Sequence, residues 1–284
     1  MNNSIIKAPV VVMKELESVF FVLTMKNCNL RCSHCYIDFP RKPQKDFISL
    51  DKIKTSLSQL RNSGVKYLHL SGAEPMLHPD FNTILRMCLR VSSVVIHTNG
   101  TMINDKKARF LRKVEDEKNN DNEIIFRVGI DHFDEETNDS IRGRGSYRKS
   151  MNAVKSLYKY DFNPILTIVN HFDLDESVIK TEFSKICSEF GFEVEDLNFK
   201  IIPLLKKGVY KNAENIDYSI MNTDCSRSRT VSANGVFTCP LLSDDNRGLT
   251  GSDISDFSPK AYIESDFCTQ CVKNNKSLFC FDWV

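Results

Sequence analysis

The sequence predicts an α/β fold: an open, partial barrel of six strand-then-helix steps, followed by a small cysteine-rich C-terminal unit. Three observations carry this expectation. Short β-branched and aromatic segments alternate with longer amphipathic ones from residue 19 to residue 203, the pattern of βαβ units on a parallel sheet. From about Asp217 the alternation stops, and turn residues and cysteines take over. A chain of 284 residues has room for one large α/β domain of roughly 200 to 250 residues and a small appendage. The expected division is a short extension over 1–18, the barrel over 19–210 and the C-terminal unit over 211–284, with the boundary between residues 205 and 220.

The apolar run Val19 to Met25 reads as the first barrel strand, and Leu50 to Ser63 as an amphipathic helix stopped by Gly64. Lys66 to Ser71 is the second strand, followed by a helix from about Pro79 to Val91. Strand Val94 to Thr98 and helix Asp105 to Val114 come next, and the polar segment Glu115 to Glu123 reads as a solvated loop. Strand Ile124 to Ile130, helix Tyr147 to Tyr160, strand Ile165 to Asn170, helix Glu176 to Phe190 and strand Asn198 to Pro203 continue the series. A weakly signalled helix after Pro203 would complete the sixth step. Near the C-terminus, Cys225 to Cys239 reads as a hairpin turning at Asn234-Gly235.

Composition excludes several functions. With 41% hydrophobic and 26% charged residues the chain is not disordered, and 38 Lys and Arg against 37 Asp and Glu leave no basic footprint for nucleic acid. No apolar run approaches the ~18 residues of a membrane span, and the N-terminus lacks a secretory leader, so neither a membrane nor a nucleic-acid partner is expected. A cytoplasmic location follows, where ten cysteines imply metal or redox chemistry rather than disulfides. Cys88 and Cys187 lie at helical spacing among apolar neighbours and read as buried small hydrophobes. His69 reads as a core residue and His78 as an exposed one.

Two groups of cysteines remain. Cys28, Cys32 and Cys35 follow the first strand as C-x3-C-x2-C, which supplies three thiolates in one turn. A structural zinc site takes four ligands, usually in C-x2-C pairs, whereas three thiolates suit a cubane iron-sulfur cluster with one iron open to an exogenous ligand. A zinc site completed by a distant residue is the alternative. In the C-terminal unit Cys225, Cys239, Cys268 and Cys271 form a hairpin pair and a C-x2-C pair, with Cys280 as a spare or an alternative. That spacing fits a zinc ribbon and a cluster site equally well.

The loop Cys28-Asn-Leu-Arg-Cys32-Ser-His-Cys35 resembles that of the radical S-adenosylmethionine (radical SAM) enzymes, with His34 at the position where that family carries an aromatic residue and Tyr36 directly after the loop. Ser71-Gly72-Ala73-Glu74-Pro75 is similar to the family's Gly-Gly-Glu-Pro segment, with Ala73 in place of the second glycine. His97-Thr98-Asn99-Gly100 is similar to its Thr-Asn-Gly turn, and Asp131 with Ile141-Arg142-Gly143 to its ribose segment. The resemblance implies a partial (β/α)6 TIM-like barrel with a C-terminal SPASM/Twitch-like domain. Five C-terminal cysteines are too few for two auxiliary clusters, so one is expected, making two [4Fe-4S] clusters with SAM as the further cofactor.

The site residues implied are Cys28, Cys32 and Cys35 for the SAM-cleaving cluster, and Cys225, Cys239, Cys268 and Cys271 for the auxiliary one. For SAM they are His34, Tyr36, Gly72, Ala73, Glu74, Asn99, Asp131 and Asn170, with Phe199 to Leu204 near the adenine and Glu74 on the methionine amino group. The implied chemistry is reductive cleavage of SAM by an electron from flavodoxin or ferredoxin, then abstraction of a substrate hydrogen by the 5′-deoxyadenosyl radical. An auxiliary cluster that accepts the remaining electron would make the net reaction a two-electron oxidation, an oxidoreductase reaction.

The compact one-cluster arrangement resembles dehydrogenases of a sugar or aminocyclitol alcohol. Modification of a ribosomally made peptide ranks second, because only about eighteen residues precede the first barrel strand. The molybdenum-cofactor cyclase is not expected, since the terminal residues Cys280 to Val284 lack its glycine-arginine-arginine tail. The alternative of a different class is a non-catalytic zinc-binding scaffold.

Overall fold

The computed structural model describes residues 9–40, 46–192, 198–205, 223–263, 265–274, 278 and 279. In chain order its elements are β1 (Val10–Val12), β2 (Ser18–Thr24), α1 (Leu50–Leu60), β3 (Tyr67–Gly72), α2 (Phe81–Leu89), β4 (Ser93–Thr98), α3 (Asp105–Asp116) and β5 (Ile124–Gly129). They continue with α4 (Glu135–Arg142), α5 (Ser146–Lys159), β6 (Ile165–Asn170), α6 (Glu176–Ser188), β7 (Asn198–Pro203), β8 (Ser228–Ser232), β9 (Gly235–Phe237), β10 (Leu249–Gly251), β11 (Lys260–Tyr262) and α7 (Asp266–Asn274).

Six strands, β2 to β7, lie side by side in sequence order, and every neighbouring pair is parallel. Such crossovers are right-handed, so the connecting helices cover one face of the sheet. That face is the core: Val19, Phe21 and Leu23 of β2, Leu68 and Leu70 of β3, and Val94 and Ile96 of β4 pack with Ile53, Leu57, Ile84 and Leu111 of the helices. The opposite face carries Phe20, His69, His97, Arg127 and Thr167, a polar interior. Among the described residues β7 and β10 are the two ends of the sheet and do not pair, so the barrel is open.

Helix starts follow capping chemistry. The side chains of Ser49, Asn104, Asp134 and Asp175 accept hydrogen bonds from first-turn amides of α1, α3, α4 and α6. Helix α4 was not expected; its residues EETNDSIR bury only Asn138, Ile141 and Arg142, too few for a visible apolar stripe.

Three other expectations are corrected. The expected loop Glu115 to Glu123 begins inside α3, where Glu115 is buried, pairs with Arg112 at 2.6 Å and accepts from the Ile124 amide at 2.6 Å. His78 is buried, accepting from the Asp80 amide at Nδ1, with Nε2 2.9 Å from the Ile48 carbonyl. The hairpin turns at Ala233-Asn234, because Ser232 pairs with Gly235. Gly235, at φ +145°, serves the approach of β10: a Cβ there would lie 2.8 Å from the Gly251 carbonyl oxygen.

The C-terminal segment is not a detached unit. β8 pairs in parallel with β2 on the side opposite β3, and β9 and β10 extend the same nine-stranded sheet. β1 and β11 form a separate antiparallel pair. The join is the β2–β8 pairing itself, while fully buried Arg229 ties the C-terminal segment together, donating to the carbonyls of Cys225, Ser228, Ser258 and Pro259 at 2.7 to 3.2 Å. The helix expected after Pro203, most of the 205–220 boundary, and Cys280 lie outside the described residues.

Candidate functional site

At the C-terminal ends of β2 to β5 one cavity is lined by Cys28, Cys32 and Cys35 together with His34, Ala73, Thr98, Asn99 and Arg142, and more deeply by His97, Arg127 and Thr167. In barrels of parallel strands this is the end where sites form. The cysteine loop is gripped from several sides. Asp46 accepts from the amides of Met25 and Lys26, the Thr24 hydroxyl and the Asn27 side chain, at 2.5 to 2.8 Å. The Ser33 amide donates to Ile141 O at 2.8 Å, and Asn99 Nδ2 donates to Asn29 Oδ1 at 2.8 Å and reaches Cys28 Sγ at 3.8 Å. Burial pushes the Cys28 thiol up and the Cys32 thiol up to about 11.

The SAM contacts implied by the sequence divide into two sets. His34, Ala73 and Asn99 line the cavity; Tyr36, Gly72, Glu74, Asp131 and Asn170 are not among its lining residues. Glu74 is fully buried, and its carboxylate accepts from Met76 N at 3.1 Å, Asn99 N at 2.9 Å and Thr98 Oγ1 at 2.9 and 3.1 Å. Burial raises its pKa against the pull of those donors. Its observed role is to lock the β4 turn that carries Asn99.

Asp131 is committed to a buried ion pair with Arg142 at 2.9 Å and to the Val169 amide at 3.1 Å. Burial disfavours the Arg142 cation, but Asp131 together with Cys32 and Cys28 outweighs it, and the pKa is raised. Asn170 folds its own loop, exchanging hydrogen bonds with the Leu174 backbone at 2.7 and 3.0 Å. Phe199 packs into the core near Phe183 rather than at the cavity. Tyr36 packs with Val22, Met25 and Ile37 and meets the Phe267 ring edge-on at 6.3 Å.

Arg127 and Asp46 escaped the sequence reading, and His97 and Arg142 stood in matched segments without a role of their own. The Arg142 guanidinium lines the cavity and occupies the space of a Gly129 side chain: a Cβ there would meet Nη2 at 2.8 Å.

The second cavity gathers the four C-terminal cysteines implied by the sequence, Cys225, Cys239, Cys268 and Cys271, between Phe267, Leu241, Ile263 and Phe279. Cys225 sits in the turn before β8, Cys239 just after β9, and Cys268 and Cys271 one turn apart on α7. Burial pushes Cys225 up to about 11 and Cys239 and Cys271 higher still. The nine described cysteines are thiols, none in a disulfide. Among the described residues, the group whose ligand atoms all lie within 4.8 Å of one another is His34, Asp131 and His171, not either set of cysteines. Arg142 holds the Asp131 carboxylate, so that trio is an ion-pair network rather than a cation site.

Residues 22–181 match the model of the radical SAM superfamily. The chain belongs to the radical SAM superfamily. Members bind SAM and a [4Fe-4S] cluster, and three thiols around one cavity are a donor set that fits such a cluster with an open iron. This radical SAM chain is 31% identical over 140 residues to the antilisterial bacteriocin subtilosin biosynthesis protein AlbA of Bacillus subtilis, covering 48% of this chain and 29% of AlbA. It spans less than half the length of the curated relatives it matches. Its fold is like that of Streptococcus suis SuiB bound to precursor peptide SuiA, with a TM-score of 0.61, 13% identity, and coverage of 86% of this chain and 64% of that one. Native anSMEcpe with bound AdoMet gives a TM-score of 0.60 at 15% identity, covering 93% of this chain and 84% of that one. Among the described residues no helix is long and apolar enough to cross a membrane.

Proposed function

We propose that this chain is a radical SAM oxidoreductase in which Cys28, Cys32 and Cys35 hold the SAM-cleaving cluster and Cys225, Cys239, Cys268 and Cys271 hold one auxiliary [4Fe-4S] cluster. The observation that carries the reading is the convergence of the four C-terminal thiols, distant in sequence, on one cavity.

When bound, SAM and its cluster supply a carbon radical able to take hydrogen from an unactivated C–H bond. The chain's own residues do the rest. Asp46, Asn99 and the Ile141 carbonyl fix the cysteine loop, so the three thiols that would hold the cluster are kept at the cavity. Arg142 offers a guanidinium suited to a cofactor carboxylate, and Asp131 keeps that cation in place. The Ala73 methyl and the ring of Phe39 exclude water beside the loop.

A peptide side chain is now the preferred substrate, because AlbA is a bacteriocin biosynthesis protein and SuiB binds a precursor peptide. The sugar or aminocyclitol alcohol stays as the second reading, favoured by the polar cavity floor of His97, Arg127 and Thr167. Flavodoxin or ferredoxin is the electron donor this chemistry needs, and the barrel over 19–210 and C-terminal unit over 211–284 are the corresponding functional parts.

Two variants test the assignment. Cys32→Ala is expected to abolish 5′-deoxyadenosine formation. A Cys268→Ala, Cys271→Ala double variant is expected to lose about four irons per chain, the content of one cubane, while still cleaving SAM under dithionite. Full iron in the double variant refutes the auxiliary cluster, and loss of zinc in its place makes the C-terminal unit a structural ribbon.

A further inference from the structure

One aromatic contact stands between a thiol of the first cysteine cavity and a thiol of the second. Cys35, the last thiol of the N-terminal loop, is followed directly by Tyr36, and Cys268 of the second cavity is preceded directly by Phe267. The rings of Tyr36 and Phe267 meet edge-on, 78° between planes and 6.3 Å between centroids. Phe267 also lines the second cavity, so the same residue touches Tyr36 and borders the C-terminal thiols. Around the contact, Val22, Met25 and Ile37 are buried, with Cys35, Phe39 and Ala73 packed on them. Dense packing of this kind leaves no room for water and keeps atoms in continuous van der Waals contact.

From this geometry we infer that the Tyr36–Phe267 contact is the path by which an electron passes between the two clusters. The inference rests on the reading that the C-terminal cysteines hold a cluster. The step is a bare electron transfer: the C-terminal cluster goes from its 1+ to its 2+ state, the N-terminal cluster from 2+ to 1+, and no bond or proton moves. The electron enters the C-terminal cluster from the oxidised substrate and leaves it for the cluster that begins the next SAM cleavage. Each turnover thereby returns the reducing equivalent that started it. A packed edge-on contact carries tunnelling better than a gap, and the ring matters here rather than the hydroxyl.

The test uses the full chain, anaerobically reconstituted, in wild-type, Tyr36→Phe, Tyr36→Leu and Phe267→Leu forms. Iron and sulfide are measured first. A flash of photoreduced deazaflavin delivers less than one electron per chain, and samples frozen at increasing delays are read by EPR. The N-terminal cluster is recognised because SAM addition changes its signal. Wild type and Tyr36→Phe are expected to show the final electron distribution at the shortest delay. Tyr36→Leu and Phe267→Leu are expected to lose that fast phase and relax slowly to the same final distribution. Fast redistribution in both leucine variants with both clusters intact overturns the inference. A wild-type chain with iron for one cluster overturns the reading beneath it instead. If Tyr36→Leu sheds iron, Phe267→Leu, across the contact, decides alone.

Discussion

His69 and His97 face each other inside the barrel, Nδ1 of one 2.8 Å from Nε2 of the other, with Phe20 stacked on His69 at 4.0 Å. Burial, helped by the nearby Arg127 cation, holds both well below their ordinary pKa of 6.5. An unfolded chain binds protons at these rings as pH falls through 6.5, whereas the folded chain does not. Their contribution to stability is therefore complete above pH 6.5 and erodes below it, at up to about 1.4 kcal/mol per pH unit for each ring. Thermal unfolding of the apoprotein from pH 5 to 8 should show this acid-side slope, and His69→Gln, His97→Gln should flatten it; an unchanged slope would mean other groups set it. These residues show what was legible at this scale. That each set of cysteines gathers at one cavity was legible as spacing. The hydrogen-bond partners of Glu74, Asp131 and Asn170 were not, because periodicity says nothing about Thr98, Arg142 or Leu174.

Among the elements, the junction of β2 and β3 depends on Gly72. Its φ is +116°, and a Cβ there would lie 2.2 Å from the Thr24 carbonyl oxygen, which accepts from the Ala73 amide at 2.8 Å. Neither conformation nor space admits a methyl group. Gly72→Ala should lower stability by about 3 kcal/mol or more through strain and the lost strand end, read as a fall in melting temperature. Ala73→Gly, one residue on, should cost roughly 1 kcal/mol or less. Equal effects would show that the close approach is relieved elsewhere. Strands β6 and β7 were read from the sequence with the observed ends, because each short run rich in β-branched or aromatic residues falls in the strand place of the strand-helix alternation. Helix α4 was not, since Ile141 is the one apolar side chain on its buried face beside Asn138 and Arg142.

For the molecule as a whole, the expected boundary between barrel and C-terminal unit is crossed by one continuous sheet. Arg229 braces the C-terminal part of that sheet from within, and replacing it removes a donor from four backbone carbonyls. Arg229→Met should cost on the order of 3 kcal/mol or more and lower the melting temperature of the entire chain in a single calorimetric transition. Two separated transitions would mean that the C-terminal unit folds independently. The sequence could not disclose this join: the composition change near residue 217 is real, but pairing between β2 and β8 is a long-range choice without a local signal.

That pairing also sets a schedule for biosynthesis. β2 is buried along its whole length, yet one of its two partners leaves the ribosome roughly two hundred residues later. At about 5–20 residues per second, its Val19-Phe20-Phe21-Val22-Leu23 edge stays unpaired on the order of ten seconds or more in every nascent chain. An apolar strand with an open edge is a template for aggregation. Soluble yield should thus depend on chaperone supply and translation speed more than the finished protein's stability suggests.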